Sequence, residues 1–315
     1  MSKTLLISTL IFVSLVCGCS TRQAAVDSRQ TSDVGNQKSD GSARFAAVQK
    51  QIEQIASNAK GRVGVSTVLL ETGETIVSIN AQDHFPMQSV YKLPIAMAVM
   101  KQVDAGKLRL DQTVKVAKTD YVGRAAHSPI RDQYPQGAEL TVSELLRFAL
   151  SESDGTASDV LMKLAGGHEA VQSYLAELGI KDMVVLDTEN AFIQDHSLQY
   201  RNYATPDAAV SLLRVLYERR GLSESSQALL LKFMTESRPG AKRLKGLLPV
   251  GTVVAHKTGT SGTEQGITAA TNDIGIIRLR DGRHLAIAVF VSDSPADEAT
   301  REGVIAQIAK AVFDR

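Results

Sequence analysis

The chain has 315 residues, 43% hydrophobic and 22% charged, with 35 lysines and arginines against 34 aspartates and glutamates. That length supports one large domain or two intertwined subdomains. The near-neutral balance and the absence of tryptophan leave neither an electrostatic nor a stacking case for nucleic acid. In chain order, Met1-Ser2-Lys3 and the apolar run Leu5–Val16 read as a secretion signal, too short to span a bilayer. Ser20–Ser42 is polar, without an aromatic, leucine or isoleucine, and reads as a flexible tether. Phe45, Val48, Ile52 and Ile55 predict an amphipathic helix over Arg44–Ala59. Strands Arg62–Leu70 and Glu74–Asn80 follow, turned at Glu71-Thr72-Gly73.

Pro94 is tolerated only near a helix start, which puts the beginning of the next helix at Ser89 or Val90 and its end at Gly106. Thr141-Val142-Ser143-Glu144 is a capping box that opens Leu145–Leu150. The chain breaks at Ser151–Gly155, resumes as a helix to Ala165, and forms another over Glu169–Leu178. A long irregular segment, Lys181–Ala204, ends at Thr205-Pro206, which starts Asp207–Arg219; Ser225–Thr235 is the next helix. Strands return at Thr252–Lys257, Asp273–Leu279 and His284–Ser292, the last two joined by Asp281-Gly282, before a final helix over Ala296–Phe313. The class is therefore α/β: a five-stranded antiparallel sheet built from both chain ends and flanked by helices. Its lobe takes about residues 44–86 and 236–315, a helical lobe takes about 87–235, and Ser89 falls at the junction.

Ser89-Val90-Tyr91-Lys92 carries chemistry. Residues three apart share a helix face, so the Lys92 amine reaches the Ser89 hydroxyl and can act as its base. A second Ser-x-x-Lys, Ser57 to Lys60, sits at the polar end of a helix and reads as solvated. Lys257-Thr258-Gly259-Thr260-Ser261 ends a strand; a lysine and hydroxyls there, with Gly259 leaving room, suit an extended acyl substrate. The Ser89 and Thr260 N–H groups would form an oxyanion hole. Ser153-Asp154-Gly155 lies in the break between helices, whereas its copy Ser39-Asp40-Gly41 lies in the tether.

Ser89-x-x-Lys92, Ser153-Asp154-Gly155 and Lys257-Thr258-Gly259, in this order, resemble a class A serine β-lactamase over Arg44 to Arg315. Thr188-Glu189-Asn190, the run Leu198 to Tyr203, and Thr271-Asn272-Asp273 resemble its PER-type cephalosporinase subgroup. The resemblance implies a β-lactamase/transpeptidase-like fold, a β-lactam substrate, no cofactor or metal, and a monomer. By position it implies Ser89 as nucleophile, Lys92 as its proton partner, Glu189 as activator of the deacylating water, and Ser153 as proton relay to the leaving nitrogen. Lys257, Thr258, Thr260 and the neighbouring Gly259 and Ser261 would bind the substrate. Arg243 falls where some members carry an arginine for the substrate carboxylate; the alternative is a surface cation beside Lys242 and Lys245.

Two positions depart from the family pattern. Gly155 replaces an asparagine whose amide would hold the substrate, and Ile193 replaces one that would help to place the water. His127 stands where an aromatic gatekeeper is common, a solvated histidine being the alternative, and Asp154 reads as an acceptor for backbone N–H groups. His84, His168, His196 and His256 have no metal-ligand spacing.

Val16-Cys17-Gly18-Cys19-Ser20 resembles a bacterial lipobox. It implies a signal peptide over 1–18, lipid on Cys19, a tether over 19–43, a catalytic domain over 44–315, and a periplasmic, membrane-anchored protein. An ordinary signal peptide is the alternative. Both cysteines lie in this stretch, so the folded part has no thiol for catalysis, zinc or a disulfide. The rival functions are a D-Ala-D-Ala carboxypeptidase or transpeptidase, against which Glu189 argues, and a noncatalytic penicillin-sensing lipoprotein.

Overall fold

Val63-Gly64-Val65 in β1 (Arg62–Leu69) and Leu285–Val291 in β11 (His284–Ser294) are almost unbroken apolar runs, the pattern of strands covered on both faces. A computed structural model describes residues 45–315, so the signal, the lipobox with Cys19, the tether and the Ser39-Asp40-Gly41 copy lie outside the described residues. The two runs pair antiparallel, Val63 opposite Val291 and Val65 opposite Val289, at the middle of one sheet. Its order is β2-β1-β11-β10-β8, with β2 at Glu74–Ile79, β10 at Ile267–Arg278 and β8 at Val254–Thr260. These are the five expected strands, drawn from both chain ends; a short β9 (Thr263–Glu264) on β10 makes six. β10 begins at Ile267 rather than Asp273 because its polar first half is buried and hydrogen-bonded, as where Arg301 Nε donates to Thr271 Oγ1 at 2.8 Å.

One sheet face is covered by α1 (residues 45–57) and α10 (Glu298–Phe313), with Ile52, Val65, Ile287, Val289, Ile305 and Ile308 between them. The other faces the helices. There α2 (Lys92–Asp104) is buried at every residue from Lys92 to Met100, which makes it a central helix rather than an amphipathic one. Around it pack α4 (Val142–Ser151), α5 (Gly155–Ala165), α6 (His168–Glu177) and α9 (Glu224–Thr235), while α8 (Pro206–Tyr217) packs on β1 and β11. The capping box forms as expected: Glu144 N donates to Thr141 Oγ1 at 3.2 Å and Thr141 N to Glu144 Oε2 at 2.7 Å. The other Ser-x-x-Lys is solvated, with Ser57 Oγ donating to Gln54 O at 2.7 Å.

The helix start differs in detail. Gln88–Tyr91 is a 3₁₀ turn and α begins at Lys92, so Pro94 falls in the first α turn. Missed in the sequence is a ribbon of β4 (Thr113–Val116) and β5 (Ala138–Thr141), with the short α3 (Pro129–Gln133) in the connection between them. The segment expected to be irregular, Lys181–Ala204, contains β6 (Met183–Val184), α7 (Glu189–Gln194), a 3₁₀ turn at His196–Tyr200 and β7 (Tyr203–Ala204). β7 pairs with β6 and also with β3 (Phe85–Pro86), which ties this loop to the residues just before Ser89.

Candidate active site

The turn that presents Ser89 is fixed from three sides. Met87 N donates to Asn202 O at 2.9 Å, from the loop. Asn272 Nδ2, buried on β10, donates to Pro86 O at 2.8 Å and Met87 O at 3.2 Å. On β8, a Cβ at Gly259 would lie 2.2 Å from Met87 O, so only glycine lets the strand and the turn approach this closely. This corrects the expectation for Gly259: the room it leaves is filled by the turn, not by substrate. Gln88 is held at φ +47°, a strained conformation for a residue with a side chain and one that recurs at functional sites.

Five expected residues then converge. Lys92 Nζ, buried, lies 2.9 Å from Ser89 Oγ, 2.7 Å from Ser153 O and 2.8 Å from Glu189 Oε1. Behind Ser153, the buried Lys257 Nζ donates to Ser153 Oγ and to Thr258 O, both at 2.9 Å. Ser153 itself sits at φ +59°. Burial pushes the Glu189 carboxyl up, but the Lys92 charge and the hydrogen bonds with it outweigh burial and hold it below its ordinary value. Lys257 is pushed well below the usual lysine range, first by burial and then by Lys92.

Asp154 acts as the expected acceptor. Its carboxylate takes Ile130 N and Ala157 N, each at 2.7 Å, and Ser128 Oγ at 3.1 Å, tying α3 to the start of α5. Glu189 opens α7, capped by Thr188, and is delivered to Lys92 by a residue the sequence analysis missed. Asp159 on α5 accepts Glu189 N at 2.9 Å and Asn190 N at 3.2 Å, and burial pushes its carboxyl up to about 6. An acid on the buried stretch Ala157 to Leu161 was the available signal, since a buried carboxylate needs donors. Asn202 closes the loop, accepting Leu186 N at 2.7 Å and donating to Asp187 O at 2.8 Å.

These groups line a cleft of about 450 Å³. Gln88, Ser89, Lys92, Ser153 and Glu189 form its floor, with His127, Ile193, Thr258, Thr260 and Ser261 around it. β8 is the edge strand of the sheet, so an extended ligand can lie along it. His127 is exposed at the cleft and its Nε2 is 3.0 Å from Glu152 O.

Gly155 and Arg243, both read at the substrate's position, lie off the cleft lining. Gly155 is buried off the cleft wall, its N donating to His127 O at 2.9 Å, and a Cβ there would meet Glu189 Cγ at 3.2 Å. Arg243 is not a surface cation: it is 4% exposed and stands behind Thr260, donating to Thr260 Oγ1 at 2.8 Å, Asn272 O at 2.9 Å and Gly259 O at 3.2 Å. Its Nε pairs with Glu302 Oε1 at 3.1 Å. Among the described residues, no three His, Cys, Asp or Glu side chains stand together as a metal site.

Comparison with known proteins gives a consistent result. The model of the β-lactamase enzyme family matches residues 47–315. The extended-spectrum β-lactamase PER-1 of Pseudomonas aeruginosa is 45% identical over 274 residues, covering 86% of this chain and 88% of its own. The β-lactamase VEB-1 of the same organism is 39% identical over 266 residues, covering 84% and 88%. The crystal structure of a β-lactamase from Chitinophaga pinensis DSM 2588 matches with a TM-score of 0.83 at 45% identity, over 85% of this chain and 98% of that one.

Proposed function

Because the chain belongs to the β-lactamase enzyme family, among its class A members, we propose that this cleft opens the β-lactam ring through an ester on Ser89. The observation that carries the proposal is the contact of Lys92 Nζ with Ser89, Glu189 and Ser153 at the cleft, with the buried Lys257 behind Ser153. Glu189 takes a proton from Lys92, leaving Lys92 as the base in direct contact with Ser89. Ser89 Oγ bonds to the lactam carbon, with the Ser89 and Thr260 N–H groups receiving the developing oxyanion. The carbon–nitrogen bond breaks and Ser153 gives the nitrogen a proton, replaced from Lys257, whose burial favours giving it up. Thr258, Thr260 and Ser261 hold the substrate, and Arg243 supports its carboxylate from behind Thr260.

Before deacylation Glu189 gives up the proton it took from Lys92, which restores the charge Lys257 lost. Water then attacks the ester carbon while Glu189 takes its proton, and the carbon–oxygen bond to Ser89 breaks. Ser89 recovers its proton from Lys92, and Glu189 returns the one it took to Lys92. Opening the ring inactivates the antibiotic, which is how such an enzyme gives resistance. The similarity to extended-spectrum enzymes supports a cephalosporin-leaning substrate range. A monomer is inferred from the family resemblance alone. Secretion to the periplasm and attachment through lipid on Cys19 are inferred from the amino-terminal residues alone.

The test is cephalosporin turnover by the purified 44–315 domain, together with Glu189→Gln. General-base assistance is worth about 10²–10⁴-fold, so Glu189→Gln should still acylate, more slowly because Lys92 must then lose its proton to solvent, and should release product slower by that order. Mass spectrometry should then show a Ser89 adduct lasting minutes or longer. Slow turnover by the wild type would return the carboxypeptidase reading, and no acylation at all the sensor reading. Wild-type turnover by Glu189→Gln would remove Glu189 as the deacylation base.

A further inference from the structure

Tyr91 is used neither by the three motifs nor by the steps above. It follows Ser89 in the 3₁₀ turn, is 0% exposed, and its ring meets that of Phe192 edge-on at 5.9 Å. Phe192 belongs to α7, so Tyr91 packs against the short helix whose first residue is Glu189. The Tyr91 hydroxyl and the Ser158 hydroxyl on α5 are both buried and neither completes a hydrogen bond of ordinary geometry, although Tyr91 stands beside Ser158 and Glu189. A buried phenol ordinarily has a partner, and phenylalanine would fill the space without leaving a polar atom unpaired.

Tyr91 and Glu189 are close enough to shift each other. Burial, then the charges of Glu189 and Asp159, push the phenol well above 10, so near neutral pH it keeps its proton and remains a donor. In return Tyr91 is among the groups that hold Glu189 down. Ile193, on the same cleft, offers only hydrocarbon to a water or a carboxylate.

We propose that Tyr91 is a positioning residue for Glu189, its uncommitted hydroxyl donating to the carboxylate as Lys92 releases it and aiming it at the deacylating water. The proposal rests on Glu189 being the deacylation base. The other charged or titratable groups facing Glu189 are Lys92 from α2, Lys257 from β8 and Asp159 from α5. All three remain in Tyr91→Phe, which removes one oxygen from a packed ring.

The experiment follows formation and decay of the Ser89 adduct by rapid-quench mass spectrometry from about pH 3 to about pH 8, in wild type, Tyr91→Phe and Glu189→Gln. Losing a donor to the charged form raises a carboxyl pKa, and a base acts only when deprotonated. The acid limb of decay in Tyr91→Phe should therefore move to higher pH, by about one unit, with decay near neutrality slowed about tenfold by loss of aim. Acylation rate and melting temperature should stay unchanged. A residue that only packs would leave the acid limb in place. Trapping by Glu189→Gln with an unmoved limb in Tyr91→Phe overturns the role of Tyr91 alone. Wild-type decay by Glu189→Gln overturns the base assignment and the role of Tyr91 with it.

Discussion

Arg243 has every nitrogen of its guanidinium committed: to Glu302, to two backbone carbonyls and to Thr260 Oγ1. A carboxylate bound beside Thr260 would feel its charge through that hydroxyl rather than through a direct pair. A charge-assisted hydrogen bond is worth roughly 1.5–3 kcal/mol, so Arg243→Ala should lower kcat/KM about ten- to a hundredfold. The loss should be smaller for substrates without the carboxylate. The same change strands Glu302, whose side chain is 12% exposed, and breaking such a pair costs about 3–5 kcal/mol. Denaturation should show that loss, and adding Glu302→Gln should recover stability but not kcat/KM. Equal activity toward both kinds of substrate would reduce Arg243 to a structural strut.

The 3₁₀ turn at Gln88–Tyr91 and strand β8 work as one unit, because Gly259 lets them touch. Gly259→Ala would drive a methyl to within 2.2 Å of Met87 O, a backbone atom that can yield only by moving the turn. A shift of about 1 Å in a reacting group can cost on the order of 10² in rate, and overpacking costs about 1–3 kcal/mol. We expect kcat for a chromogenic cephalosporin to fall by that order, with a lower melting temperature. Unchanged kcat would mean that the turn relaxes without displacing Ser89. The 181–204 loop was foreseen as irregular because its strands are two residues long and show no periodicity. Its order comes from partners distant in sequence: Asp159 on α5, and Phe85–Pro86 on β3.

Among the described residues no helix is long and apolar enough to cross a membrane, and the proposed lipid anchor rests on Cys19. Cys19→Ser should move the protein from the membrane fraction to a soluble or misprocessed form while leaving hydrolysis intact. An unchanged membrane fraction would argue against lipid on Cys19.

What could be read along the chain was what depends on neighbours in sequence. A capping box and a serine three residues from a lysine are local, and both fell where expected; the proline placed the helix start to within a few residues, a 3₁₀ turn preceding the α-helix at Lys92. The antiparallel sheet from both ends followed from the order of those elements. Three-dimensional packing decided the rest, because burial and contact across long separations leave no local trace. It turned Gly259 from a space for substrate into the contact holding Ser89, and Arg243 from a surface or ligand-facing cation into a buried brace. It also brought Asp159 of α5 to the backbone N–H of Glu189, and the Tyr91 ring of the 3₁₀ turn against Phe192 of α7, partners distant in sequence.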